Sequence, residues 1–240
     1  MTGMSAMTDG DALAGISLFR RLSSAERESL AQQCAWRHHA AGEQIVSPLD
    51  EGRDLYCIVE GAVRATLFSV DGKEVSFRDI PAGGVFGEYA AIDGGTRSAM
   101  VVTIEDTLTA SLHPTLFDAV LRRHPDIARE LMVQLIGQLR AMTERVFEFS
   151  VLTVRNRIHA EILRLARAGR VDDNAAVIDP FPTHSEIASR ISTHREAVAR
   201  ELNALARDGL LERHGHSLTV RDLDRLARMV DLRLAPESGR

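Results

Sequence analysis

The hydrophobic period of this chain changes near His113-Pro114, and that change restricts the chain to folds that join a small β domain to a helical one. Between residues 36 and 112, short apolar stretches are broken by turn residues: Ala41-Gly42, Asp50-Glu51-Gly52, Glu60-Gly61, Asp71-Gly72, Pro81 through Gly84, and Asp93-Gly94-Gly95. Residues 55–59, 63–68, 75–80 and 98–102 read as strands, with Asp71-Gly72 as a hairpin turn. Many short strands at regular spacing predict a small barrel or jelly roll. Upstream, Leu18, Leu22 and Leu30 have helical spacing over residues 18–35, with a start signal at Ser23-Ser24-x-Glu26.

Beyond Pro114 the pattern is helical. Pro125 suits a first helical turn, and a long helix is predicted from there to about Thr153. Met132, Leu135, Leu139, Met142, Val146 and Phe149 recur at alternating steps of three and four, the a/d pattern of a seam between paired helices. One core face of an ordinary helix is the alternative. The length and the uninterrupted seam favour pairing, and hence a homodimer. Ile158, Ile162 and Leu165 begin another helix, and residues 170–182, with Asp, Asn and two prolines, read as a loop.

The C-terminal part reads as two short helices followed by a hairpin. Thr183-His184-Ser185-Glu186 is a capping box, and Ile187, Ala188 and Ile191 give the helix it opens an apolar face. Ser192-Thr193 interrupts, and Thr193-His194-Arg195-Glu196 offers a second capping signal. The next helix stops at Asp208-Gly209. At about 100° per residue, Val198, Leu202 and Leu205 share one face of it, while Glu196, Arg200, Asn203 and Arg207 lie opposite and Arg195 at the N-terminal edge. Arginine matches guanine O6/N7 and glutamate can accept from cytosine N4. A solvated charged face is the plainer reading of that side. Residues 210–220 then read as strand, turn, strand: a wing directly after a bihelical unit that fits a major groove.

Bulk properties exclude several classes. The 240 residues suffice for two modest domains, and the two cysteines, Cys34 and Cys57, are too few for a disulfide framework, an iron–sulfur ligand set or a thiolate zinc site. They read as core thiols in a reducing, cytoplasmic setting. No apolar run is long enough for a membrane helix, and residues 1–10 carry no secretory signal and read as part of a disordered leader. The net charge of −5 divides into −7 for residues 1–153 and +2 for residues 154–240, a C-terminal positive bias carried by arginine, which permits DNA binding. No nucleophile–base motif, metal spacing or dinucleotide loop marks an enzyme.

The most informative stretch is Phe86-Gly87-Glu88-Tyr89-Ala90-Ala91-Ile92-Asp93-Gly94-Gly95-Thr96-Arg97-Ser98-Ala99. Glycine lets backbone N–H groups approach an anion, Arg97 offers a planar donor fork to phosphate oxygens, and Ser98 adds a hydroxyl. Glu88 would repel phosphate, so accepting a sugar hydroxyl is its natural task. A Glu88–Arg97 salt bridge across a surface loop is the simpler alternative.

This stretch resembles the phosphate-binding cassette of cyclic-nucleotide-binding domains. From about residue 16 to 230 the chain resembles the CRP/FNR family of bacterial transcription regulators, whose recognition-helix signature is matched by Arg195-Glu196 and Arg200. The resemblance implies an α+β fold: a cyclic-nucleotide-binding β-roll (jelly roll), a long dimerisation helix and a winged helix-turn-helix. The corresponding boundaries are a leader over 1–15, a sensor over 16–123, a dimer helix over 124–153 and a DNA-binding domain over 154–240.

It also implies roles. Gly87, Glu88 and Tyr89 would lie on the ribose side of a cyclic nucleotide, with Arg97 and Ser98 on its phosphate. Met142 and Thr143 stand where the cyclic-AMP branch has a Thr-Ser pair touching the purine. Arg195, Glu196 and Arg200 would read bases, and His184 would contact phosphate. Ser192 replaces the common turn glycine. Neither the cysteine cluster of the iron–sulfur branch nor a haem histidine is matched, His113 lying past the cassette, so no metal, haem or cluster is expected. Ser98 in place of threonine leans towards cAMP over cGMP, and Met142 weakens that lean. The implied partners are a second copy of the chain, a pseudo-palindromic double-stranded operator and RNA polymerase, with no membrane. The alternatives are a family regulator with another effector or none, and a cyclic-nucleotide-binding subunit that does not bind DNA.

Overall fold

The computed structural model describes residues 10–68 and 74–230, so the leader before residue 10, the Asp71-Gly72 turn and the last ten residues of the expected DNA-binding domain lie outside the described residues. The chain divides into two compact units, Met1–Leu139 and Arg140–Arg240.

Among the described residues of the first unit, eight strands form two antiparallel sheets. They are β1 (Ala35–His39), β2 (Gln44–Val46), β3 (Leu55–Glu60), β4 (Ala62–Phe68), β5 (Glu74–Pro81), β6 (Val85–Phe86), β7 (Met100–Thr103) and β8 (Thr107–Leu112). One sheet has the order β1-β8-β3-β6 and the other β2-β7-β4-β5. This is the expected jelly-roll-like arrangement: apart from the β4–β5 hairpin, successive strands cross from one sheet to the other, so that both inner faces share a core. Val46, Ile58, Val63, Ile80, Phe86 and Val101 fill part of it. Leu55, Cys57, Ala110 and Leu112 pack on a second cluster with Phe117 and Val120 of α3 (Pro114–Arg123) and Ile127 and Leu131 of α4 (Pro125–Val151). Burial pushes the Cys34 thiol up to about 12, and the Cys57 thiol, also buried, well above its usual value, so both stay protonated.

Two boundaries move. The helix expected over 18–35 is shorter, α1 (Ser24–Ala31), with Ser23 and Glu26 forming the reciprocal capping box; residues from Ala35 instead pair with β8. The leader expected over 1–15 does not extend to residue 15. Gly10–Leu13 form a 3-10 turn, and Leu13 and Ile16 are fully buried in the sensor core. Two aliphatic side chains three residues apart are enough to anchor such a turn, and no periodicity announces it.

The second unit contains the rest of α4, then α5 (Val154–Ala168), α6 (His184–Arg190), α7 (Arg195–Arg207) and α8 (Leu223–Val230). Thr153, expected inside the long helix, instead caps α5 by accepting from the Asn156 N–H at 3.3 Å. The loop expected over 170–182 contains two strands, β9 (Arg170–Asp172) and β10 (Ala175–Ile178), which join β11 (Leu211–His214) and β12 (Ser217–Val220) in the sheet order β11-β12-β10-β9. Asp173, at φ 53°, turns the chain between them. Ala175 and Ala176 are weak strand formers, and pairing decides their conformation: Ala176 lies opposite Val220 of β12 and Ala175 opposite Asp172 of β9. Ile158, Ile162, Ile187, Val198, Leu202, Leu218 and Leu226 lie in the single apolar cluster described for this unit.

Leu13→Ala is expected to lower the stability of the first unit by about 2–5 kcal/mol, the usual cost of emptying a buried leucine site. Urea denaturation followed by Trp36 fluorescence reads this directly; a change within 0.5 kcal/mol or so would place Leu13 outside the core.

Candidate ligand cassette and nucleic-acid interface

The cassette follows β6. It is not wholly a loop: Glu88–Asp93 form a short helix, α2, between Gly87 at φ 84° and Gly94 at φ 70°. The six residues between two left-handed glycines are enough for one and a half turns, a length too short for periodicity to reveal.

Arg97 returns from the far end of the cassette to the start of α2. Its Nη1 donates to the Gly87 carbonyl at 3.2 Å and its Nη2 to the Asp54 carbonyl at 3.0 Å. The guanidinium lies 5.7 Å from the centroid of Tyr56, which stacks on Phe86 at 4.8 Å. Arg97 is only 6% exposed, and its Nε is buried without a hydrogen-bond partner. No carboxylate lies within ion-pair distance of it among the described residues, so the Glu88–Arg97 salt bridge weighed from sequence does not form. A buried cation held only by neutral carbonyls and a ring is costly unless an anion shares the site.

Gly87 is required twice over. Its φ lies in the left-handed region, and a Cβ would stand 2.5 Å from Arg97 Nη1 and 2.7 Å from the Asp54 oxygen. Glu88 is buried at 5% exposure, and its Oε1 lies 3.5 Å from Gln138 Nε2 on α4. Tyr89 donates to Gln138 Oε1 at 2.8 Å. Ser98 is exposed. The structure thus brings Gly87, Glu88, Tyr89 and Arg97 around one short helix and adds Asp54, Tyr56 and Gln138, none of which the sequence marked. Met142 and Thr143 fall in the second unit, both exposed on α4. His113 caps α3, its Nδ1 accepting from the Thr115 N–H.

In the second unit, α6 begins with the expected capping box: Thr183 Oγ1 accepts from the Glu186 N–H at 3.2 Å, and Glu186 accepts from the Thr183 N–H at 2.8 Å. The second capping signal is not used. His194, not Thr193, is the cap of α7 and makes no side-chain bond there, and the Thr193 N–H donates to the Ala188 carbonyl at 2.9 Å. Ser192 has φ 51°, the left-handed conformation that explains why glycine is common there. Glu196 accepts from Arg195 Nε at 3.0 Å and from its own backbone N–H, bonds that hold its carboxyl below the usual range.

Val198, Leu202 and Leu205 are buried, whereas Arg195, Glu196 and Arg200 are exposed on the opposite face. A cleft of about 430 Å³ is lined by His184, Arg195, Glu196 and Arg213, the last from wing strand β11. Burial and the nearby Arg213 hold the His184 imidazole below its ordinary pKa. Arg213 carried no sequence signal beyond its place in a strand. Behind the helix, Glu201 accepts from His159 Nε2 at 2.6 Å and from Arg155 Nε at 2.9 Å.

Comparison with known proteins agrees with this architecture. The family model for the cyclic nucleotide-binding domain matches residues 36–124, and that for the Crp-like helix-turn-helix domain matches residues 156–229. The "Cyclic AMP receptor protein" of Thermus thermophilus is 30% identical over 210 residues, covering 87% of this chain and 94% of that protein. The chain belongs to the CRP/FNR family of transcription regulators. It is a cyclic-nucleotide-binding transcription regulator with a helix-turn-helix.

Another CRP/FNR relative, the "CRP-like cAMP-activated global transcriptional regulator" of Mycobacterium tuberculosis, is 25% identical and covers 90% of this chain and 97% of that one. Among solved structures, a CooA mutant from Carboxydothermus hydrogenoformans has a TM-score of 0.73 at 20% identity, covering 85% of this chain and 90% of that one. The "c-di-GMP Responsive Global Regulator CLP" of Xanthomonas campestris has a TM-score of 0.70 at 20% identity, covering 82% and 99%. Both are similar in fold. Among the described residues, no helix is long and apolar enough to cross a membrane, and no cluster of three metal-ligating side chains occurs.

Gly87→Ala is expected to destabilise the first unit by about 1–3 kcal/mol, because the new Cβ is both strained in φ and in collision with Arg97. Thermal unfolding should show a lowered transition; an unchanged transition would mean the cassette relaxes freely.

Proposed function

We propose that the protein is a homodimeric, sequence-specific regulator whose affinity for DNA is raised by a cyclic nucleotide, with cAMP favoured over cGMP. The observation that carries this reading is the buried Arg97 guanidinium, which has no carboxylate partner among the described residues and retains an unused Nε donor. A cyclic phosphate supplies the missing anion, bound by Arg97 and assisted by Ser98. Gly87 lets backbone approach, Glu88 accepts a ribose hydroxyl, and Tyr89 with Gln138 holds Glu88 in place. Both relatives named above carry cAMP in their names.

The second copy covers the seam on α4. Met132, Leu139, Met142 and Val146 are 47–67% exposed on the single chain, an apolar stripe that is costly to leave in water. Met142 and Thr143 on that stripe meet the base of the ligand. Ligand binding then shifts the two helices and sets the separation of the two α7 helices, so that they fit half-sites about one helical turn apart on a pseudo-palindromic operator. Arg195, Glu196 and Arg200 read base edges, while His184 contacts phosphate. The regulator works in the cytoplasm and meets RNA polymerase at its promoters; no catalytic role is proposed.

Calorimetric titration of the purified protein with cAMP and cGMP, and with c-di-GMP as a third nucleotide, tests the effector. cAMP should bind, and Arg97→Ala should weaken it by about 10- to 100-fold, the worth of a charge-assisted hydrogen-bonded pair. No heat with any of the three would sink the effector claim and leave the DNA claim standing. Separately, Arg195→Ala should cost about 1–3 kcal/mol of operator affinity in a gel-shift assay and relax selectivity at one position of each half-site. Equal binding by the variant would remove Arg195 from the reading face.

A further inference from the structure

One carboxylate of the second unit is buried among cations. Glu161 on α5 is 1% exposed. Arg145 of α4 donates through Nη1 to its Oε2 at 3.3 Å, and Arg164, one turn along α5, donates to the same oxygen. Arg190, the last residue of α6, places Nη1 3.5 Å from Oε1. Arg164 also returns to α4, where Nη2 meets the Glu148 carboxylate at 2.7 and 3.0 Å. Three helices therefore meet at one carboxylate, and the Arg145 and Arg190 side chains are themselves mostly covered, at 21% and 17% exposure.

The apolar cluster explains how α5, α6 and α7 hold one another: Ile158, Ile162, Ile187, Ala188, Ile191, Val198 and Leu202 all belong to it. It includes no residue of α4. Contacts that tie α4 to α5 include polar ones: the ion pairs of Arg145 and Glu148, and Arg157 over the Phe149 ring at 5.1 Å. Apolar packing is non-directional, so it alone would let α4 take a range of angles against the bihelical unit. Planar guanidinium forks are directional, and a buried pair is screened little by salt. Such a cluster adds little net stability, and its value lies in selecting one arrangement.

We infer that Glu161 is a positioning residue: through Arg145 and Arg190 it fixes the orientation of α6, and of the recognition helix packed on it, against the C-terminal end of the long helix. This rests on the paired-half-site reading given above. In a dimer joined along α4, the angle at this joint sets the distance between the two recognition helices. The carboxylate is then a determinant of operator spacing while touching no base.

The test uses the full-length protein and duplexes carrying two copies of a half-site that the wild type selects from random DNA. The spacer is varied by one or two base pairs on either side of the wild-type optimum, and a duplex with a single half-site serves as the reference. Fluorescence anisotropy reads affinity. Wild type should lose about ten-fold or more at the wrong spacing, whereas Glu161→Gln should lose about three-fold or less while binding the single half-site within about two-fold of wild type.

Arg145→Met, which removes only the α4 arm, should flatten the spacing profile in the same way, and it carries the test if the Glu161 variant does not fold. Folded variants that keep the wild-type spacing penalty overturn the inference alone. Variants that lose affinity equally on every duplex, including the single half-site, also overturn it, since that is the mark of a purely structural role. A wild type with no spacing optimum overturns the paired-half-site reading and this inference with it.

Discussion

Helix α4 belongs to both units of the chain, and it is held in each by different chemistry. Its first turns contribute Ile127 and Leu131 to the apolar core of the sensor, where burial is non-directional and supplies stability. Its last turns, from Arg140 onward, are tied to the DNA-binding unit by guanidinium–carboxylate pairs and a cation–ring contact. Between these ends it presents an apolar stripe to water. A 27-residue helix with this division of labour has a core end, an exposed apolar stripe and a polar joint, and the functional reading depends on all three.

The cassette contains an electrostatic deficit. Arg97 is buried at the start of α2 with two carbonyl acceptors and no counter-charge. Proteins seldom bury an arginine so, because a desolvated cation without an anion is expensive. On the proposed reading, an incoming cyclic phosphate offsets this deficit. Gly87 makes the arrangement possible by leaving the guanidinium and the Asp54 carbonyl the space that a Cβ would take.

The legible parts of the sequence were those governed by local rules. Capping boxes at Ser23 and Thr183 formed as read, because they depend on residues three apart. The apolar face of α7 is buried at Val198, Leu202 and Leu205 because periodicity alone selects it. Most of the failures have the opposite cause. Strand β10 is formed by a short segment that pairs with β12, some forty residues away, and β9 forms by pairing with β10 in turn. The Thr193 capping signal lost to a competing local bond, its N–H donating to the Ala188 carbonyl as the chain turns, while His194 takes the cap position. Leu13 gave no periodic signal, yet the sensor core encloses it.

By itself the sequence determined the order of domains, the apolar stripe along the long helix, the two helices of the helix-turn-helix unit, and the residue types in the cassette. All follow from periodicity and short-range hydrogen bonding, which are properties of neighbouring residues. Only the tertiary structure decided that Arg97 is buried without a counter-charge, that Gln138 lies beside Glu88, that Arg213 joins the cleft with His184 and Arg195, and that Glu161 gathers arginines from three helices. These depend on which distant segments share a dielectric environment, and burial of charge is a property of the fold as a whole.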